Sequence, residues 1–253
     1  MWAMAFAIAV VVACIAVGLD KALDGLNEFR FGAVDGLLSQ GQQWTAFLVF
    51  VSINLGYGMI AGMVVSVIEL KAKGSGIPEV KAYLNGTKQE RVISLKTLLS
   101  KTLGVCFSVG GGLFVGKEGP MIHAGAIVGA VLSQMRLETL GTTQRAKAGS
   151  NIFRNDQDKR DFVSIGCACG VAGAFNSPVG GVLFVLEEAA SHWRTELTWM
   201  TFFGTMVCCM VSNCINAASV GTQTITDSSF VSFGSFEGAS LIIARMSIYG
   251  NNH

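Results

Sequence analysis

Apolar residues gather into long unbroken runs along this chain, with neither the strict alternation of a half-buried strand nor the one-sided stripe of a soluble helix. The runs cover residues 1 to 19, 45 to 70, 97 to 115, 119 to 135, 161 to 190 and 197 to 218. A helix needs roughly 20 predominantly apolar residues to cross a bilayer, so the longer runs predict spanning helices. The shorter ones predict re-entrant or half-spanning helices, for a total of about seven membrane helices, some of them broken.

Composition agrees with the pattern. Hydrophobic residues make up 51% of the chain, charged residues 14%, and the mean hydropathy is +0.52; soluble domains carry about 25% charged residues. The expected fold class is an all-α polytopic membrane protein. The first run, MWAMAFAIAVVVACIAVGL, has no basic leader and is too long for a signal-peptide core, so it reads as a retained span. Its abrupt start raises the expectation that the native N-terminus lies further upstream.

Seven cysteines stand in apolar runs without C-x-x-C spacing and read as small core residues. His123, His192 and His253 are scattered, with no ligand spacing, so neither a metal nor another cofactor is expected. Nothing in the chain points to nucleic acid.

The net charge of +1 hides an uneven distribution. Residues 20 to 44 hold two basic and four acidic side chains, residues 71 to 96 six basic and two acidic, and residues 136 to 160 six basic and three acidic. Basic loops stay cytoplasmic, so the segment from 97 to 135 should enter the membrane and return on the same side. That hairpin would break near Gly116 to Pro120. The sequon Asn85-Gly86-Thr87 would then face the cytoplasm and stay unglycosylated.

Only three prolines occur, and each stands just before an apolar helical run: GSGIP ending at Pro78, GKEGP ending at Pro120 and NSP ending at Pro178. Proline suits the first helical turn, where its missing N–H would lack a partner anyway, so all three predict helix N-termini. Glycine-rich backbone before two of them is tolerated at membrane depth only where it is buried in protein or lines an aqueous path. A helix N-terminus presents unpaired N–H groups and about half a positive charge. Two such termini converging would make a site for a small anion without any lysine.

The stretch GGGLFVGKEGP, residues 110 to 120, also approaches the nucleotide-binding phosphate loop, G-x-x-x-x-G-K followed by Ser or Thr. Here Glu118 takes the magnesium-binding hydroxyl's place and an apolar helix precedes the glycines instead of a strand, which argues against a nucleotide. A carboxylate at a positive helix terminus can instead occupy the anion site itself, which makes Glu118 a candidate gate. The plainer reading is a helix-capping glutamate worth roughly 0.3 to 1 kcal/mol. A charge near the bilayer centre costs about 2.5 to 3.5 kcal/mol on insertion scales and usually marks an ion path.

Glu187-Glu188 closes the apolar helix begun by Pro178. Carboxylates near a helix C-terminus oppose its dipole, and two readings stay open: a proton relay, or a solvated pair bonded to Arg194 or nearby lysines. Lys117 either snorkels or draws anions to the mouth, and His123 reads as a packing residue. Trp2, Trp44, Trp193 and Trp199 read as interfacial belt residues, and Gly104, Gly110, Gly111 and Gly112 as sites of close helix packing.

GSGIPEVKAYLNG (74 to 86), GKEGPMIHAGA (116 to 126) and AFNSPVGGVLFVLEE (174 to 188) resemble, in order and spacing, the signature segments of the CLC family of chloride channels and chloride/proton exchangers. DKRDFVS, from Asp158 to Ser164, is similar to the eukaryotic intracellular branch. The likeness covers residues 1 to 237 and implies the first of two inverted repeats, with broken and re-entrant helices, in a homodimer whose subunits each hold an anion pathway. It implies that Ser75 and Gly76 serve the central chloride site and the backbone of Lys117, Glu118 and Gly119 the outer one. Glu118 would be the gating glutamate and Glu188 the proton glutamate, which favours proton-coupled exchange over a voltage-gated channel. Ser75, where some members carry proline, resembles chloride-preferring members.

The branch likeness implies an endosomal, lysosomal or vacuolar membrane. The family's second repeat, with its G-x-F-x-P helix start and chloride-site tyrosine, and its cytoplasmic CBS domains have no counterpart here. Residues 238 to 253 match nothing in it and read as an unmatched tail on a truncated chain. Rival readings are an ungated anion channel, an inactive fragment that binds full-length subunits and, with no catalytic constellation to support it, a membrane enzyme.

Overall fold

The computed structural model describes residues 1–87, 93–139, 156–189 and 193–220. The candidate tail 238 to 253, His192 and His253 lie outside them. Every regular element among the described residues is helical. The eight α-helices are α1 (Trp2–Leu38), α2 (Gln43–Ile68), α3 (Ile77–Leu84), α4 (Leu95–Gly110), α5 (Glu118–Thr139), α6 (Asp156–Phe175), α7 (Pro178–Phe184) and α8 (Thr195–Val220). A 3₁₀ turn, Leu70–Ala72, follows α2, and a π turn, Val185–Ala189, extends α7.

Three of these helices, α1, α2 and α8, are long and apolar enough to cross a membrane by length and composition. Among the described residues, the other apolar runs fall in shorter or more polar helices. Proline sets the divisions. Pro78 and Pro178 occupy the first turns of α3 and α7, and Pro120 is the third residue of α5. Between α6 and α7, Asn176 takes φ 51, a left-handed conformation that asparagine tolerates, and Ser177 Oγ caps α7 by accepting from Gly180 N–H at 3.3 Å.

The acidic stretch after residue 19 does not leave the helix. α1 continues 37 residues to Leu38, about 55 Å at 1.5 Å per residue, against a hydrocarbon thickness of about 30 Å. It persists because Leu19, Leu23 and Arg30 stay buried while Lys21, Asp24 and Glu28 point outward. Arg30 then ties α1 to its neighbour: Nη1 donates to Asn54 Oδ1 of α2 at 3.3 Å, Nη2 donates to Asn27 Oδ1 at 2.9 Å, and the guanidinium lies 4.6 Å from the Phe31 ring centroid.

The core sits where α1, α5, α6 and α8 meet, around Ile8, Val12, Met121, Phe162, Ile165 and Leu197. α5 and α6 are in backbone contact through glycines on both sides. A Cβ on Gly129 would lie 3.0 Å from the Phe162 carbonyl carbon, and one on Gly170 3.0 Å from Ile122 Cα. Such small-residue seams let helices approach where lipid leaves little hydrophobic driving force between them. The glycines around 110 pack closely too, Gly110 against Leu26 and Gly111 against Tyr57. Five of the cysteines are buried, as core residues should be, whereas Cys14 and Cys214 are exposed. The surface of α2 stays largely uncovered, with 6% of its apolar window buried inside the chain.

Candidate functional site

Two broken-helix starts meet at the centre of the site. Before α3, Gly76 takes φ +83 and serves as the N-cap, a conformation costly for any residue with a Cβ. This turn lets Ser75 Oγ accept from Ile77 N–H at 3.3 Å. Because the hydroxyl oxygen is the acceptor there, its proton is available for donation. Before α5, residues 111–117 leave helical geometry, with Gly112 at φ +71, and the helix resumes with Lys117 C=O accepting from Met121 N–H at 3.0 Å. The N–H groups of Glu118 and Gly119 belong to the first turn of α5 and have no carbonyl within the helix to bond.

The two starts converge. A Cβ on Gly119 would sit 2.6 Å from Ser75 Cβ and 3.2 Å from its Cα, so the backbone of α5 rests directly on Ser75. A cavity of about 490 Å³ opens beside the contact, lined by Ser75, Lys101, Ser108, Gly116, Glu118 and Gly119 among others. A second cavity, about 710 Å³, is lined by Asp20, Asp24, Asn27, Lys117 and Glu118. Val115, Gly116 and Glu118 belong to the walls of both. The half-buried Glu118 side chain folds back over Gly116, where a Cβ would meet its Cδ at 2.9 Å. Among the described residues it is the one carboxylate that lines both cavities.

Lys117 does not stand free. Its ammonium pairs with Asp20 of α1, both partly buried, which ties the loop before α5 to the helix lining the second cavity. Glu188 lies elsewhere. It falls in the π turn after α7, its side chain 63% exposed, and its carboxylate accepts from Lys81 Nζ in the last turn of α3 at 3.2 Å. Arg194, the arginine near it in sequence, pairs with Asp161 instead. Lys81 lies four residues after Ile77, the first residue of α3, about 6 Å of helix rise, so α3 stands between the two glutamates with Glu118 near its start and Glu188 near its end.

Sequence reasoning assigned no role to Lys101, although a lysine inside the apolar run LLSKTLGVCF is a signal in itself. Lys101 lines the first cavity at 2% exposure, with its Nζ 2.7 Å from Nδ1 of the fully buried His123. Converging helix N-termini, a free hydroxyl proton and a buried lysine together favour a small anion.

Residues 57–247 match the family model described as voltage gated chloride channel. The chain is 39% identical over 233 residues to chloride channel protein C of Dictyostelium discoideum, covering 92% of this chain and 30% of that protein. It is 38% identical over 241 residues to H(+)/Cl(-) exchange transporter 7 of Homo sapiens, covering 93% of this chain and 30% of the relative. It thus spans 30% of the length of each of these relatives. In fold it is similar to the crystal structure of a eukaryotic CLC transporter, with a TM-score of 0.70 and 24% identity over 85% of this chain and 38% of the other. It is also similar to a slow cyanobacterial Cl-/H+ antiporter, with a TM-score of 0.69 and 23% identity over 84% of this chain and 46% of that one. The chain belongs to the voltage-gated chloride channel family and has its all-α CLC fold.

Proposed function

We propose that this chain provides the anion-binding half of a chloride pathway that exchanges chloride for protons across a membrane. The observation that carries the reading is the contact of Ser75 with Gly119, beside a glutamate that lines two cavities at once. The Ser75 hydroxyl proton and the N–H groups at the start of α5 can donate to whatever fills the first cavity, which favours an anion. An ionised Glu118 competes with that anion for the same donors. Protonation removes its charge and releases the donors to chloride, and deprotonation draws the carboxylate back, so occupancy by chloride and by the ionised glutamate alternates.

Glu188 supplies the second requirement of exchange, a proton donor on the far side of α3. Its exposure lets it load from water, and the span of α3 calls for a bridging water or side-chain movement to reach Glu118. The name of H(+)/Cl(-) exchange transporter 7 among the relatives supports coupling to protons. Location in an endosomal or lysosomal membrane and assembly as a homodimer belong to the same reading.

Reconstitution of the 253-residue chain in liposomes, recording chloride efflux with proton uptake, tests it. Coupled flux in the wild type and uncoupled chloride flux in Glu118→Ala are expected. Chloride flux without proton movement in the wild type would convert the reading to a channel. Folded protein that carries no chloride, yet lowers the flux of a longer relative when mixed with it, would make the chain an inhibitory fragment.

A further inference from the structure

The loop that leads to Glu118 is held at both ends by α1. Residues 111–117 run from the end of α4 to the start of α5, and Leu113, Phe114 and Val115 in the middle are exposed, so the loop has little packing of its own. At its far end Lys117 pairs with Asp20. At its near end stands Arg30, ten positions further along α1.

α4 closes with Gly111 N–H donating to Phe107 C=O and Gly112 N–H to Val109 C=O, both at 2.9 Å. Gly112 takes φ +71, and a Cβ on it would lie 2.8 Å from Arg30 Nη1. A Cβ on Gly111 would lie 3.0 Å from Tyr57 Cβ and 3.4 Å from the Asn54 carbonyl oxygen. The turn therefore sits in a corner formed by α1 and α2, and Arg30 joins the two walls through its bonds to Asn27 and Asn54.

Arg30 is 8% exposed, and its Nε has no hydrogen-bond partner among the described residues. Its bonds go to amide oxygens instead of a carboxylate, and a buried charge without a counter-ion is costly. The Phe31 and Phe50 rings, 4.6 and 5.6 Å from Cζ, offset part of that cost. The C-terminus of α4 offsets more, since its last carbonyls carry about half a negative charge. The guanidinium and the end of α4 thus hold each other in place.

We propose that Arg30 is a positioning residue for the gate: by fixing the Gly111–Gly112 turn against α1 and α2, it sets where Glu118 stands between the two cavities. Glu118 lies six positions after Gly112, and Val115 and Gly116 between them line both cavities, so a shift of the turn passes into the cavity walls. Groups at a binding site must be held to within about 0.5 Å. This rests on the reading of the first cavity as a chloride site whose donors Glu118 contests.

Chloride titration calorimetry at low and high pH, on the purified full chain in nanodiscs, tests it. Wild-type affinity should rise as pH falls, because protonation of Glu118 removes the competitor. In Arg30→Met the ratio of the two affinities should shrink several-fold, chiefly through tighter binding at high pH, while Arg30→Lys, which keeps the cation, should retain most of it. The other charged groups around Glu118 are Lys73 and Lys101 in the first cavity and Asp20, Lys21, Asp24 and Lys117 in the second, and the substitution alters none of them. Glu118→Gln should abolish the ratio, and adding Arg30→Met to it should change nothing further, the non-additivity expected of residues acting through one another. Should Arg30→Met not fold, Asn54→Leu, which keeps the arginine and removes its bond to α2, should shrink the ratio too. A lower melting temperature with the wild-type ratio intact would make Arg30 a brace and overturn the inference. A ratio that survives in Glu118→Gln would overturn the gate reading, and a wild-type chain that binds no chloride would overturn the chloride reading, this inference falling with either.

Discussion

Gly119 and Ser75 touch across the N-termini of α5 and α3, the hypothetical Cβ of one falling 2.6 Å from the real Cβ of the other. The two stand 44 positions apart in the chain, yet this contact sets the distance between the hydroxyl of one helix start and the N–H groups of the other. Gly119→Ala should push Ser75 out of register. Overpacking of this kind costs about 1 to 3 kcal/mol. The expected result is a lower melting temperature and, on the proposed chloride reading, a smaller stabilisation by chloride than in the wild type. A thermal scan in detergent with chloride and with gluconate measures both. Unchanged chloride stabilisation would show that the contact does not shape the site.

Glu118→Gln keeps the shape of a protonated gate and removes its titration. Chloride flux should persist and lose its dependence on protons, because the neutral side chain no longer competes for the α5 donors. Proton uptake recorded beside chloride efflux in liposomes distinguishes this from simple loss of function. Retained coupling would move the gate to another residue.

Lys81 and Glu188 join the end of α3 to the π turn, with both side chains at least half exposed. Exposed ion pairs contribute about 0.2 to 1 kcal/mol. Lys81→Gln should therefore leave folding almost unchanged, and the melting temperature checks that. Glu188→Gln should also fold, while proton coupling falls and chloride flux continues. A large loss of stability in either variant would reassign the pair as a structural clamp.

The glycines make a prediction of opposite signs. Gly18 lies on an exposed face of α1, where an added Cβ would meet nothing within 4 Å, so Gly18→Ala should stabilise the helix by up to about 1 kcal/mol. Gly166→Ala would drive a Cβ into the backbone of Gly125, with the carbonyl carbon only 2.9 Å away. It should destabilise by about 1 to 3 kcal/mol, since two backbones must separate. Paired melting curves decide, and equal effects at the two positions would refute the close seam between α5 and α6.

Local chemistry made much of this protein legible in its sequence. Three prolines in glycine- and serine-rich contexts announced three helix starts, because the missing N–H and fixed φ of proline act within one turn. Apolar runs announced helices and a membrane, since hydrocarbon demands backbone groups that satisfy one another within each segment. The GKEGP and LNG segments carried the family, and Glu118 could be singled out as a carboxylate where membrane depth makes charge costly.

Packing decided the rest. The length of α1 depended on a buried face that the charges of residues 20 to 38 concealed, and the α5–α6 glycine seam became visible only with the two helices side by side. The pairings of Lys117 with Asp20, of Lys101 with His123 and of Glu188 with Lys81 join residues 97, 22 and 107 positions apart. Helical periodicity relates a residue to its neighbours three and four positions away. Contacts across such separations depend on how whole helices cross, and there the tertiary structure alone determined which charges meet, which glutamate lines both cavities and which stays at the surface.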